Sequence, residues 1–262
     1  GDMLEAFAEG VAFVEWPGRA EGHLPANSIS LTLTENPDDG DSRRLAVTAP
    51  DGFMTRLERS LAMRAFLGDN GWGDGFRRFL LGDASTRAYE TVERDGDVAI
   101  LMNAPKQSDG PPVRDGKPYS QIAHLAEDIL PFVAIGRTLG QRGFRAPEIH
   151  AFDLQQGFIL LEHLGSDGVL DAHRRPIPER YEASVECLAA IHAIDWPEVM
   201  DINGRTHRVP KFDLDAFLIE AELLTDWFVP RATGAKLPDA GIEQFRALWT
   251  DLFAIVDAGE KT

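Results

Sequence analysis

The sequence predicts an α+β fold: an amino lobe built on an antiparallel sheet with a helix, then a helical lobe, with a small β-rich segment ahead of both. Three observations carry this reading. Short strands joined by tight turns fill Arg77 to Asn103, helical apolar spacing runs through the region beyond Gly165, and the change between the two halves falls at residues 162–168. With 262 residues, 44% hydrophobic and 26% charged, the chain is long enough for one large domain or two small ones. The expected organisation is 1–50, 51–163 and 164–262.

Residues 1–49 read as a short helix (Leu4 to Ala8), a strand (Val11 to Glu15), and the strands Ser28 to Thr34 and Arg43 to Thr48. The last two flank Glu35-Asn36-Pro37-Asp38-Asp39-Gly40-Asp41, a run of turn formers that suits a hairpin tip. So few large apolar groups cannot make a core alone, and the segment reads as the end of something larger. Apolar residues at Leu57, Leu61, Ala65 and Phe66 predict a helix over Met54 to Leu67, stopped by Gly68 and Gly71. Strands Arg77 to Leu81, Ala88 to Glu93 and Val98 to Asn103 form a meander, the last two joined by Asp95-Gly96-Asp97.

Ala104 to Pro118 reads as a surface loop, followed by helices over Tyr119 to Asp128 and Pro131 to Gln141, with Pro131 suited to a first turn. Strands Ile149 to Asp153 and Gly157 to Glu162 come next, separated by Leu154-Gln155-Gln156. Beyond Gly165 everything reads helical: Pro178 to Ile194, Leu214 to Trp227 and Gly241 to Val256.

Charge and cysteine usage narrow the function classes. Lys and Arg number 26 against 43 Asp and Glu, a net charge of −17, which argues against general nucleic-acid binding. Any phosphate site must be local, built from backbone amides and a few arginines. The single cysteine, Cys187, excludes a disulfide scaffold and a thiolate zinc site. No apolar stretch approaches a membrane span and no signal pattern opens the chain, so a cytoplasmic location is expected.

Leu81-Gly82-Asp83-Ala84-Ser85-Thr86-Arg87-Ala88-Tyr89 lies between two strands. Small residues let backbone amides approach a polyphosphate, and Ser85, Thr86 and Arg87 add donors. By spacing alone the same run reads first as a plain hairpin turn. The order of the surrounding elements distinguishes the two: a meander, a helix, two more strands, an acidic residue at the crossing, then helices.

Together with that loop, Ile100-Leu101-Met102-Asn103-Ala104-Pro105, Ala146-Pro147-Glu148-Ile149, Gly157-Phe158-Ile159-Leu160-Leu161-Glu162-His163-Leu164-Gly165 and Glu220-Ala221-Glu222-Leu223-Leu224-Thr225-Asp226-Trp227 resemble the aminoglycoside phosphotransferase family. Within it they are similar to the branch of anomeric kinases acting on N-acetylmuramate and N-acetylglucosamine in cell-wall recycling. The resemblance runs from about Leu57 to the carboxyl end and implies a protein-kinase-like fold using ATP and Mg2+. It implies that Gly82, Asp83, Ala84, Ser85, Thr86 and Arg87 lie over the ATP phosphates, with Met102 on the nucleotide strand. It further implies that Glu162, His163 and Leu164 form the adenine hinge, and that Glu220 and Trp227 bind the sugar. Two plainer readings stay open: Glu162 as a solvated strand end, and Trp227 as a core residue beside Leu223 and Leu224.

The sequence departs from the wider kinase pattern twice. Val98-Ala99-Ile100-Leu101-Met102 lacks the phosphate-binding lysine, which leaves phosphate neutralisation to Arg87 or magnesium. Kinase chemistry also uses an aspartate five residues ahead of a metal-binding asparagine. Asn27, Asn36, Asn70, Asn103 and Asn203 are preceded at that spacing by Gly22, Leu31, Ala65, Val98 and Glu198. The catalytic residues and magnesium ligands are therefore expected downstream of Thr262, and the 262-residue chain is expected to transfer phosphoryl groups negligibly.

At the amino end, Glu5-Ala6-Phe7, Gly10-Val11, Val14-Glu15-Trp16-Pro17-Gly18-Arg19 and Leu24-Pro25 resemble the last third of the P-loop ATPase subunit of the bacterial tRNA threonylcarbamoyladenosine machinery, over about residues 3–49. That resemblance implies Glu15 and Trp16 near a nucleotide, a Walker loop upstream, and proteins of the tRNA-modification complex as partners. No G-x-x-x-x-G-K-[ST] occurs in the sequence. Two other functions compete with a sugar kinase: a noncatalytic kinase-like module that binds nucleotide or a partner, and an antibiotic phosphotransferase. His192 is expected to pack, Cys187 to be an inert core thiol, and Glu127-Asp128 and Glu220/Glu222 to be solvated helix faces, with Glu127 able to approach the phosphate loop. No pair of histidines has metal-ligand spacing.

Overall fold

A computed structural model describes residues 13–20, 22–82 and 86–257. The helix expected over Leu4 to Ala8 and the loop residues Asp83, Ala84 and Ser85 lie outside the described residues. The chain divides into two compact units, 1–66 and 67–262.

The first unit holds a 3-10 turn at Pro17–Ala20, strands β1 (Ser30–Glu35) and β2 (Arg43–Thr48), and most of helix α1 (Asp51–Asp69). Phe13, Val14 and Glu15 are not in a strand as expected. Trp16 turns the chain with φ 62°, and Pro17, which has no N–H to give a ladder, opens the 3-10 turn instead. Strands β1 and β2 pair antiparallel, Leu33 opposite Leu45. Their tip is held by Asn36 Nδ2 donating to Ser42 Oγ at 2.8 Å and by Arg44 paired with Asp38 at 2.7 Å.

The second unit is built on one antiparallel sheet of β3 (Phe76–Leu80), β4 (Ala88–Arg94), β5 (Asp97–Asn103), β8 (Ile149–Asp153) and β9 (Phe158–Glu162), in the order β3-β4-β5-β9-β8. Central position explains the continuous apolar run of β9: Phe158, Ile159 and Leu160 have no exposed surface. Helix α3 (Leu130–Gln141) buries Leu130, Val133, Ala134 and Thr138, a spacing of one helical face, and Pro131 sits in its first turn. Leu130, Val133 and Ala134 join Met102, Ile159 and Leu161 in the main core, with Tyr89, Ile100 and Ile149 packed at its margin.

Local structure departs from expectation between the sheet strands. Ala104 to Pro118 is not only a loop: β6 (Pro112–Arg114) and β7 (Lys117–Pro118) pair as a small hairpin. A second hairpin, β10 (Val199–Ile202) with β11 (Arg205–Arg208), interrupts the region expected to be all helical. Both turn on an Asx-Gly pair in the left-handed region, Asp115-Gly116 (φ 49° and 74°) and Asn203-Gly204 (φ 50° and 79°). Helix α2 is only Tyr119–Ile122, because His124 takes φ 53° and the chain leaves the helix. Helix α4 spans Pro178–His192. Helix α5 (Leu214–Ala221) gives way to a π-helical turn, Leu224–Phe228, then α6 (Val229–Thr233) and α7 (Asp239–Asp257).

Burial and pairing correct the expectations at Cys187, His192 and Asp128. Helix α4 has no buried residue, so Cys187 is exposed rather than a core thiol, and His192 is exposed rather than packed. Met102 lies fully buried in the main core, because its strand runs through the middle of the sheet. Asp128 is not a solvated helix face: one oxygen accepts from Leu130 N at 2.9 Å just ahead of α3, and the other pairs with Arg205 at 3.0 Å. Among the described residues no helix is long and apolar enough to cross a membrane.

Candidate functional site

The segment Gly82 to Arg87 connects β3 to β4, whose pairing runs from Phe76 opposite Glu93 to Leu80 opposite Tyr89. Gly82 and Thr86 are exposed at the two ends of the described part. Arg87 is half-buried, with its guanidinium 5.8 Å from the ring centroid of Phe132, in the first turn of α3. The sheet thus brings Arg87 to the amino-terminal turn of the helix that covers the core. Tyr89 and Ile100 pack at the margin of that core, and Leu80, opposite Tyr89, is exposed. Thr86 and Arg87 thus put a hydroxyl and a cationic donor beside half-buried apolar surface.

At the other end of the sheet, the β5–β9 pairing finishes with Ala99 opposite Glu162. The Glu162 carboxylate is no solvated strand end. It accepts from Glu148 N at 3.1 Å and pairs with Arg145, and these bonds, led by the backbone N–H, hold it below the usual carboxylate range. His163 Nδ1 accepts from Gly165 N at 3.1 Å, which puts the neutral ring's proton on Nε2. Leu164 is 54% exposed beside it. The side chain of Glu162 is therefore engaged, and what this turn offers a ligand is backbone and the exposed Leu164 side chain. Glu127 lies ahead of α3, where its carbonyl accepts from Gln107 N at 2.9 Å.

A second polar cluster gathers β6, α2, α5 and α7. Tyr119 Oη donates to Glu220 Oε1 at 2.5 Å, and His124 Nε2 lies 3.2 Å from Asp213 Oδ2, whose other oxygen caps α5 by accepting from Ala216 N. Burial and the Glu220 carboxylate push the Tyr119 phenol up to about 12. Deprotonation favours the unfolded chain there, so stability is full below the ordinary tyrosine value and falls as pH rises through about 12. Absorbance titration at 295 nm should show one tyrosine ionising last of the three, and Glu220→Gln should bring it down; three superimposed titrations would refute the bond.

Glu222, two residues beyond Glu220, was expected on a solvated face and is buried instead. Its carboxylate pairs with Arg114 of β6 and lies 3.5 Å from Arg246 of α7. Only the Glu220 half of that acidic pair is exposed. Trp227 is 74% exposed on the π-helical turn, which removes the reading of it as core. A carboxylate and an indole on neighbouring turns can bind hydroxyls and stack on a sugar face. Sequence reasoning missed Tyr119, Arg114 and Arg246; none had a local signal, since their partners lie 101, 108 and 24 residues away. Among the described residues no cluster of three His, Cys, Asp or Glu could hold a metal ion.

The profile of the phosphotransferase enzyme family matches residues 77–262, from β3 onward. The chain belongs to that family. Its amino-terminal hairpin lies ahead of the matched residues. Among similar phosphotransferases, the N-acetylmuramate/N-acetylglucosamine kinase of Caulobacter vibrioides is 33% identical over 209 residues, 75% of this chain and 57% of that protein. The proteins of the same description from Pseudomonas aeruginosa and Pseudomonas putida are 28% and 30% identical, over 68% and 66% of this chain. This chain spans about half the length of these curated relatives.

Proposed function

We propose that the chain carries the nucleotide-binding lobe and part of the acceptor surface of an ATP-dependent kinase that phosphorylates the anomeric hydroxyl of an N-acetylated amino sugar. The observation that carries this reading is Arg87, which follows the segment joining β3 to β4 and is set against Phe132 in the first turn of α3. Its residue types fit a polyphosphate: small residues at Gly82, Ala84 and Ser85, hydroxyls at Ser85 and Thr86, and a guanidinium at Arg87. The names of the similar proteins support an amino-sugar acceptor, for which Glu220 and Trp227 supply a carboxylate and an exposed indole.

ATP supplies the phosphoryl group that is transferred. In this reading Thr86 and Arg87 bind its phosphates, the backbone of His163 and Leu164 meets adenine, and Tyr119 orients Glu220 toward sugar hydroxyls. Positioning and charge stabilisation are the contributions assigned to these residues. No general base and no magnesium ligand is assigned among them. Calorimetry with ATP tests the loop. Arg87→Ala should weaken binding by about tenfold, the loss of one charge-assisted contact. Unchanged affinity would falsify the assignment.

A further inference from the structure

Away from the Gly82-to-Arg87 connection, a cavity of about 620 Å³ opens between α3 and the residues on either side of the β10–β11 hairpin. That volume is in the range of small-molecule sites. Its walls are apolar: Ile135 of α3, Trp196 and Pro197 ahead of β10, Met200 within it, and Val209 and Pro210 after β11. Helix α3 divides its faces sharply, since Val133 and Ala134 have no exposed surface whereas Ile135 is 42% exposed. The polar atoms of the walls are already engaged. Trp196 Nε1 donates to Ile191 O at 2.7 Å, and Met200 Sδ accepts from Thr138 Oγ1 at 3.2 Å. Val209 N donates to Glu198 O at 2.9 Å, joining the two segments that form the mouth.

Charge at the mouth has the opposite sign to the chain. Glu198, Arg208 and Lys211 line it, and Arg208 lies 3.6 Å from Glu198. Lys211 makes no salt bridge among the described residues, so the mouth keeps one positive charge on a chain of net −17. We propose that this cavity binds a small amphipathic carboxylate, its aliphatic or aromatic body against Ile135, Trp196 and Met200 and its carboxylate at Lys211 and Arg208. This site goes beyond the kinase reading and does not depend on it.

Decanoate is a suitable probe, titrated calorimetrically into the 262-residue chain, with decanol as the neutral counterpart. A 1:1 isotherm with Kd on the order of 0.1 mM or below is expected, with decanol at least about threefold weaker. Ile135→Trp fills the cavity from an exposed helix position and should abolish binding. Lys211→Glu, far from the core, should weaken decanoate by about three- to tenfold and leave decanol unchanged. Equal affinity for decanoate in Ile135→Trp and the parent would place the probe on other apolar surface and overturn the site. Equal affinity for decanoate and decanol, or no saturable binding by the parent, would overturn the proposal as well.

Discussion

Glu222→Ala should lower the free energy of unfolding of the second unit by about 3 kcal/mol, the scale for removing one partner of a buried ion pair. The Glu222 side chain is 6% exposed and faces the guanidinium groups of Arg114 and Arg246, whose side chains are 24% and 43% exposed. Taking away the carboxylate leaves two like charges together, one of them mostly desolvated. Arg114 Nη1 is already buried without a hydrogen bond among the described residues, which offer it no second partner. Glu222→Gln, which keeps an acceptor oxygen, should cost roughly half as much. Urea unfolding followed by tryptophan fluorescence measures both. A loss below about 1 kcal/mol for the alanine variant would mean that the pair behaves as an exposed salt bridge.

The second large effect is expected at Gly157, where backbone conformation and packing act together. Its φ is +72°, its N–H donates to Asp153 O at 2.8 Å, and its carbonyl accepts from Ala104 N at 2.9 Å. A methyl group added there would lie 2.8 Å from the Ala104 carbonyl carbon and 3.0 Å from Pro105 Cα, with the carbonyl oxygen closer still. These are backbone atoms and cannot rotate away. Gly157→Ala should therefore destabilise by about 3 kcal/mol, left-handed strain plus displacement of the β5 end. Gly96, at φ +92° with nothing within 4 Å of an added methyl, isolates the strain: Gly96→Ala should cost only about 1 kcal/mol. Equal losses in the two variants, measured by the same urea unfolding, would show that the close approach at Ala104 contributes nothing.

Much of the sheet was legible in the sequence because turn chemistry and apolar runs are local. The bounds of β2 and β8 match expectation, and β4, β5 and β9 agree to within one residue at either end. The two short hairpins were missed although Asp115-Gly116 and Asn203-Gly204 carry the same signal as Asp95-Gly96. Their strands hold charged or polar residues, such as Arg114, Asp201 and His207, in place of an apolar alternation. Leu214 to Trp227 has helical apolar spacing throughout, yet it breaks into an α-helix and a π-helical turn. Leu223 and Leu224 are exposed, and Thr225, buried at 3%, takes the inward position with its hydroxyl donating to Glu222 O. Periodicity marks apolar residues and does not say which of them find a neighbour.

By itself the sequence determined the α+β class, the order of the main sheet strands and helices, and the residue types of the Gly82-to-Arg87 connection. Each follows from interactions within a few residues: left-handed turns, helix-terminal proline, and side chains alternating along a strand. Tertiary structure alone decided which polar groups are engaged and which are presented. It buried Met102 and Glu222, exposed Trp227 and Cys187, and brought Tyr119 to Glu220 across 101 positions. Burial and ion pairing depend on segments distant in the chain, and desolvation separates a buried carboxylate such as Glu222 from an exposed one such as Glu220. A pair spaced two residues apart on a helix looks the same in sequence whichever member turns inward.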